Sequence, residues 1–227
     1  MEFEQWKKEL CIVRGGGDIA TGTIYKLFQC GFPLLVLEIG NPSCIRRTIS
    51  FCEAVFDDDV EVEGVHAKLV GSLEEAYQCC CRGKVPVMED PEAVMIQKAS
   101  PAVVIDAILA KCNLGTRITD APVVIGVGPG FTAGKDVHAV VETKRGHNLG
   151  RVIYDGAAAP NTGVPGVIGG YGKERVIHAP ASGTLHIEKQ IGEETAQEDV
   201  IAWIDETPVK ATISGIVRGM IREGYAV

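Results

Sequence analysis

No run of the chain approaches the roughly 18 apolar residues that a membrane-spanning helix requires. Its opening, Met1-Glu2-Phe3-Glu4-Gln5-Trp6-Lys7-Lys8, has no apolar signal core. A cytoplasmic protein with no membrane partner is therefore expected. Basic charge is also in short supply: 22 Lys and Arg against 30 Asp and Glu leave a net charge of −8. That balance disfavours nucleic acid, which needs a basic footprint. Regular cysteine spacing is missing too. Eight cysteines include no C-x-x-C pair, so neither a disulfide framework nor a zinc site is read from them. Cys79, Cys80 and Cys81 are consecutive, and on a helix they would point about 100° apart. Free thiols in a reduced compartment fit this pattern. The G-x-S-x-G elbow and the H-E-x-x-H zinc motif are absent. No nucleophile–base pair can be named.

Glycine is abundant, at 27 of 227 residues. The most informative cluster is Gly15-Gly16-Gly17-Asp18-Ile19-Ala20, which follows the apolar run Leu10-Cys11-Ile12-Val13. Ala20, Ile24, Leu27 and Phe28 then recur on one helical face. A second apolar run, Leu34-Leu35-Val36-Leu37, ends in Glu38, 21 residues past Gly17. Strand, G-x-G-x-x-A, helix, strand and acid form a dinucleotide-binding fingerprint in its proper context. Gly15 would permit the tight turn, Gly17 would admit a pyrophosphate, and Ala20 would let helix and strand pack closely. Glu38 would accept hydrogen bonds from ribose. Asp18 points the other way. Its carboxylate at the helix start would cap the N-terminus, offset the dipole and repel a phosphate. A liganded turn and a merely capped helix both remain open.

Strand and helix patterns alternate to about residue 127, which predicts a mostly parallel, helix-covered sheet. Ser72 with Glu75 three residues on reads as a capping box for a helix to Arg82. From residue 131, glycine and β-branched residues dominate, so the expected domains are 1–130, Rossmann-like α/β, and 131–227, β-rich. The second contains a repeat at an offset of 32: Ile177-His178-Ala179-Pro180-Ala181-Ser182-Gly183 matches Val209-Lys210-Ala211-Thr212-Ile213-Ser214-Gly215. The repeat, 177–192 and 209–224, resembles the barrel-sandwich of biotinyl and lipoyl carrier domains. The hairpin tip Asp205-Glu206-Thr207-Pro208 has no attachment lysine, so a docking or structural module is expected instead of a swinging arm.

Three other places carry candidate chemistry. Gly128-Pro129-Gly130-Phe131-Thr132-Ala133-Gly134-Lys135-Asp136 imitates a phosphate loop, but Pro129 and Asp136 break the Walker pattern at two required positions. An anion-holding turn lined by Gly128, Gly130 and Lys135, or a plain connection, are the readings left. Arg46 and Arg47 follow the Glu38 strand and would suit a phosphate bidentately, or form a solvated basic pair. His138 and Glu142 would share a strand face, without the third ligand a metal needs. Cys112, a few residues beyond Val103-Val104-Ile105-Asp106, is the weak candidate for a chemical role, because ligands gather beyond the carboxyl ends of strands.

Taken together, Val13 to Gly22, Ile45-Arg46-Arg47-Thr48-Ile49-Ser50-Phe51, Gly128 to His138, Glu142 to His147 and Asn161-Thr162-Gly163-Val164-Pro165-Gly166 resemble the YqeB family. These are accessory proteins associated with selenium-dependent molybdenum hydroxylases, and the α/β half is similar to XdhC-type molybdenum-cofactor chaperones. The resemblance implies maturation or cofactor insertion, with the hydroxylase apoprotein as partner. It also implies members that run past Val227, leaving the last barrel strand incomplete. The ligand itself is not identified; the molybdenum cofactor and a dinucleotide are the candidates. Gly15, Gly16, Gly17, Arg46, Arg47 and the Gly128–Gly134 turn are expected to line a cleft between the two halves. A nicotinamide-dependent oxidoreductase and a ligand-free docking adaptor are the alternatives. A homo-oligomer is compatible with all three.

Overall fold

The computed structural model describes residues 2–227, which fall into two compact units. The first runs to Pro42 and resumes over Ile49–Asn161; the second comprises Ser43–Thr48 and Thr162–Val227. The compositional change at residue 131 is therefore not the boundary between units. The first unit's sheet continues past it, because residues 139–153 supply two more strands. Among the described residues, no helix is long and apolar enough to cross a membrane.

The first unit contains β1 (Cys11–Arg14), β2 (Leu34–Glu38), β3 (Asp59–Val62), β4 (Val65–Leu69), β5 (Val85–Glu89), β6 (Val103–Asp106), β7 (Val123–Val127), β8 (Thr132–Ala133), β9 (Ala139–Val141), β10 (Val152–Ile153) and β11 (Gly156–Ala157). Its helices are α1 (Phe3–Glu9), α2 (Asp18–Gln29), α3 (Ala54–Asp57), α4 (Leu73–Cys81) and α5 (Val94–Ala99). Nine strands form one sheet in the order β10-β9-β7-β6-β1-β2-β5-β4-β3. Every pairing from β4 to β9 is parallel; β3 and β10 run antiparallel at the two edges. The expected mostly parallel sheet is present. A parallel sheet is covered on both faces, and all four residues of β1 are accordingly buried. Successive side chains enter opposite cores: Ile12, Leu35 and Val104 join Trp6 and Phe131 on one face. Val13, Val36 and Ile105 join Ala20, Ile24 and Phe51 on the other.

From β1 the chain builds outward through β2 to β5, then crosses back to lay down β6, β7 and β9 on the other side. Strand order thus reverses between β1 and β6, which is where open α/β sheets leave a ligand crevice. α4 starts as expected: the Ser72 hydroxyl accepts the Glu75 N–H at 3.1 Å. The Glu75 carboxylate reaches back one residue further than a capping box would, to the Gly71 N–H at 2.7 Å.

The second unit holds β12 (Leu185–Ile187), β13 (Glu194–Thr195), β14 (Val200–Ile204), β15 (Thr207–Lys210) and β16 (Gly215–Ile216). They form a three-stranded sheet, β12-β14-β15, and a two-stranded one, β13-β16, all antiparallel. Among the described residues they do not close into a barrel. The two repeat copies also differ in backbone: residues 209–210 lie in β15, whereas residues 177–183 form no strand. Leu185, Ile201, Ala202, Ile204, Val209, Ala211 and Val217 make a small core.

Glycine at the first turn has two separable causes, and substitution distinguishes them. Gly15 lies at φ +90°, and a Cβ there would come within 2.9 Å of Ile108 Cα. Gly15→Ala is expected to cost on the order of 1–3 kcal/mol of unfolding free energy. Gly17 has φ −64° and open space, so Gly17→Ala costs no more than about 1 kcal/mol. Urea denaturation of both variants checks the contrast.

Candidate functional site

The turn between β1 and α2 is assembled from the backbone outward. The Gly15 N–H donates to Leu37 O at 2.8 Å, which extends the β1–β2 ladder by one residue. A Cβ on Gly16 would meet Cys52 N at 2.9 Å. Gly16 O accepts the Cys52 N–H at 2.8 Å and the Thr21 hydroxyl at 3.1 Å. That hydroxyl in turn accepts the Phe51 N–H at 2.9 Å. The protein's own packing therefore demands glycine at 15 and 16. Gly17 is different, since no heavy atom lies within 4 Å of where its Cβ would be. It also occupies the N-cap of α2, so Asp18 is the first helical residue and not the cap. The arrangement leaves an uncrowded helix N-terminus, with a positive end that favours an anion. Ala20 is fully buried, as close helix–strand packing requires.

Glu38 sits at the end of β2, as the fingerprint requires, but it turns inward. Its Oε2 accepts the Gly16 N–H at 2.7 Å and its Oε1 accepts the Ile39 N–H at 2.8 Å. Both oxygens are engaged with backbone.

Sequence reading missed the charged groups beneath the turn. Arg14 and Asp106 are register partners at the carboxyl ends of β1 and β6. Their side chains are 9% and 2% exposed, with Nη1 to Oδ2 at 3.2 Å. Thr116 completes the group: its hydroxyl donates to Asp106 Oδ2 at 2.6 Å and accepts from Arg14 Nη1. Arg14 Nη2 donates to Leu114 O at 3.1 Å, and Asp106 Oδ1 accepts the Ile108 N–H at 3.2 Å. The network ties the segment after β6 down over the end of β1. The signal available was a charge ending each of two otherwise apolar runs.

The remaining candidates scatter. Gly128 and Gly130 have φ of +83° and +118°. A Cβ on Gly128 would meet Thr143 Oγ1 at 2.9 Å, and one on Gly130 would meet Cys112 Cα at 2.8 Å. Their glycines serve internal packing against the loop after β6. Lys135 is exposed in a tight turn whose Asp136 carboxylate accepts the Thr132 N–H at 2.9 Å. Cys112 is exposed, flanked by Lys111 in a left-handed conformation, φ +66°. Arg46 and Arg47 belong to the second unit, where Arg47 Nε donates to Met220 O at 2.9 Å. His138 and Glu142 bracket β9. His138 Nδ1 accepts the Val124 N–H at 3.0 Å. The buried Glu142 accepts the Lys144 N–H at 2.7 Å and the Ala159 N–H at 2.8 Å. Burial pushes the Cys11 and Cys79 thiols up to about 12, which suits inert core fillers. Two concavities lie away from the turn. One of about 350 Å³ is lined by Asn148, Arg151 and Tyr154; another, of about 480 Å³ in the second unit, by Lys189 and Trp203.

The chain is 51% identical over 219 residues to the uncharacterized protein YqeB of Escherichia coli (strain K12). The match takes in 96% of this chain and 40% of that protein, so the chain spans about two fifths of the length of the curated relative it matches. The likeness to YqeB read from the motifs is thus supported across nearly the whole chain. No family model and no solved structure matches it.

Two buried acids lead to measurable consequences. Breaking a buried ion pair from one side strands the other charge, so Arg14→Met or Asp106→Asn should cost about 3–5 kcal/mol of stability. The double variant should lose less than the sum, as a denaturant-based double-mutant cycle would register. For Glu142, burial pushes the carboxyl up, but the Ala159, Lys144 and Thr143 amides outweigh it and hold it below the ordinary range. A lowered folded-state value makes its contribution fully present above the unfolded value of about 4.3. That contribution is lost as pH falls through the folded-state value. Glu142→Gln should flatten the acid limb of a stability–pH profile.

Proposed function

We propose that this chain is an accessory module of a selenium-dependent molybdenum hydroxylase system, and that it holds a phosphate-bearing cofactor or nucleotide on the turn after β1. The observation that carries the ligand half is Gly17. It is a glycine at a helix N-cap, at the switch between β1 and β6, that no internal contact requires. A small residue conserving open space at an anion-favouring helix end is what a phosphate needs for close approach. The maturation half rests on the motif resemblance to YqeB proteins and their association with such hydroxylases. The likeness of the 177–192 and 209–224 repeat to carrier-domain barrels belongs to the same reading, with that half as a docking part.

The molybdenum cofactor carries a phosphate, which the α2 N-terminus and the open face of Gly17 would hold against the repulsion of the Asp18 carboxylate in the first turn of α2. The turn supplies no catalytic acid or base, so hydride transfer finds little support; Glu38, engaged with the Gly16 and Ile39 amides, is not poised for ribose. One observation favours a docking adaptor as the second reading. Within the second unit, Val164, Val167 and Tyr171 are 63%, 73% and 49% exposed, an apolar run of the sort that marks an interaction site.

Titration of the purified protein with molybdenum cofactor, NAD(H) and NADP(H) separates these readings. Binding of the molybdenum cofactor, weakened at least about fivefold by Gly17→Ala, is the expected result; a 1 kcal/mol loss corresponds to roughly that factor. Nicotinamide binding with turnover would sink the proposal. Capture of the hydroxylase without any bound ligand would select the adaptor.

A further inference from the structure

The two edges of the nine-stranded sheet are finished differently. At β3, Asp58 O accepts the Leu69 N–H at 2.9 Å. By the two-residue alternation of an antiparallel ladder, Asp59 and Glu61 then turn their own N–H and C=O groups to the open side. Both carry exposed carboxylates, a common protection of a sheet edge against further pairing. At β10, Arg151 O accepts the Glu142 N–H at 2.9 Å, which leaves the Val152 N–H and C=O facing outward. This edge is apolar: Val152 is 46% exposed and Tyr154, two residues on, 75%. We propose that the β10 edge is a docking site for an extended acidic segment of a partner protein, which joins the sheet as a further strand. The surface lies four strands from β1 and needs no ligand on the turn there.

Charge and shape beside the edge name the occupant. The connection from β9 to β10 holds Lys144, Arg145, His147 and Arg151 and no acid over residues 144–151, in a chain whose net charge is −8. All four are exposed. Arg145, His147 and Arg151 make no side-chain hydrogen bond or ion pair among the described residues, so an acidic neighbour costs them no existing partner. A concavity of about 350 Å³ lies alongside, lined by Asn148, Arg151, Val152, Tyr154 and Asp155 together with Glu142. Of its two acids, Glu142 is already bound to the Lys144 and Ala159 amides. In strand addition, backbone hydrogen bonds supply affinity, and pockets for alternate side chains supply specificity. Val152 offers the first, and the concavity with Arg151 offers the second. A cationic loop beside an apolar edge repels a basic strand and steers an acidic one. It also opposes a symmetric β10-to-β10 pairing of two copies, which would bring like-charged loops to one interface.

Three labelled peptides test this by fluorescence anisotropy on the full chain: one of alternating Asp and Val, its Lys–Val counterpart, and the acidic peptide N-methylated at two adjacent central residues. The acidic peptide should bind at least about tenfold more tightly than the lysine peptide, and its affinity should fall as salt rises. N-methylation removes donors on both peptide edges and should abolish binding, a readout that needs no protein variant to fold. Arg151→Glu should weaken the acidic peptide about tenfold. Val152→Pro removes an outward donor that β9 does not use, so it should keep the β9–β10 ladder and weaken the peptide about fivefold. No binding of the acidic peptide, equal binding of the two charge forms, or tolerance of N-methylation overturns the proposal. Unchanged affinity in a folded Arg151→Glu variant does the same. Sedimentation of the wild-type chain and Arg151→Glu addresses the other occupant. An association state that the substitution leaves alone is expected; self-association that it abolishes would give the edge to a second copy and overturn the peptide assignment.

Discussion

A guanidinium–carboxylate pair buried at the carboxyl ends of the two central strands constrains everything above it. Arg14 and Asp106 face each other because β1 and β6 are parallel neighbours in register. Their burial obliges the chain to supply every remaining hydrogen bond. Thr116 and the Leu114 carbonyl answer that demand, and both come from the segment that follows β6. Drawing that segment inward brings Ala107 and Ile108 backbone against Gly15. The tight turn, its glycine and the ion pair are thus one mechanical unit. Such a pair adds little net stability over an apolar replacement; its effect is to specify where the loop goes.

Above this floor, the three glycines divide the work. Two are consumed by the approach of backbone from Ile108 and Cys52, and only Gly17 leaves space facing outward. Glu38 adds a further layer, since the acid that the fingerprint assigns to ribose is bound to the turn itself.

How much of this could be read from residues alone depends on the range of the interaction involved. Gly15, Ala20, Ile24 and Glu38 were legible because turn sterics and helical periodicity act over a few residues. The parallel sheet was legible from alternating apolar runs. Pairing Arg14 with Asp106 was not, because they are 92 residues apart in the chain and strand order alone brings them together. Arg46 and Arg47 looked adjacent to the nucleotide fingerprint by position, yet the short segment holding them belongs to the second unit, through the Ile45 and Met220 backbones. Among the described residues the expected barrel is not closed. Sequence repetition in 177–183 and 209–215 did not produce equivalent strands: residues 209–210 lie in β15, whereas in 177–183 only Gly183 exchanges backbone hydrogen bonds, with Val227.

The sequence by itself determined the kind of protein this is: an acidic α/β chain with a glycine turn between strand and helix, an acid closing the second strand, and the motifs of YqeB proteins. Local sterics and hydrophobic period suffice for that much. Tertiary structure decided what each of those residues faces. It put the Glu38 carboxylate on the Gly16 amide, spent Gly15 and Gly16 on packing, and left Gly17 open. Hydrogen-bond partners across a parallel sheet are chosen by strand order and register, which no short stretch of sequence encodes.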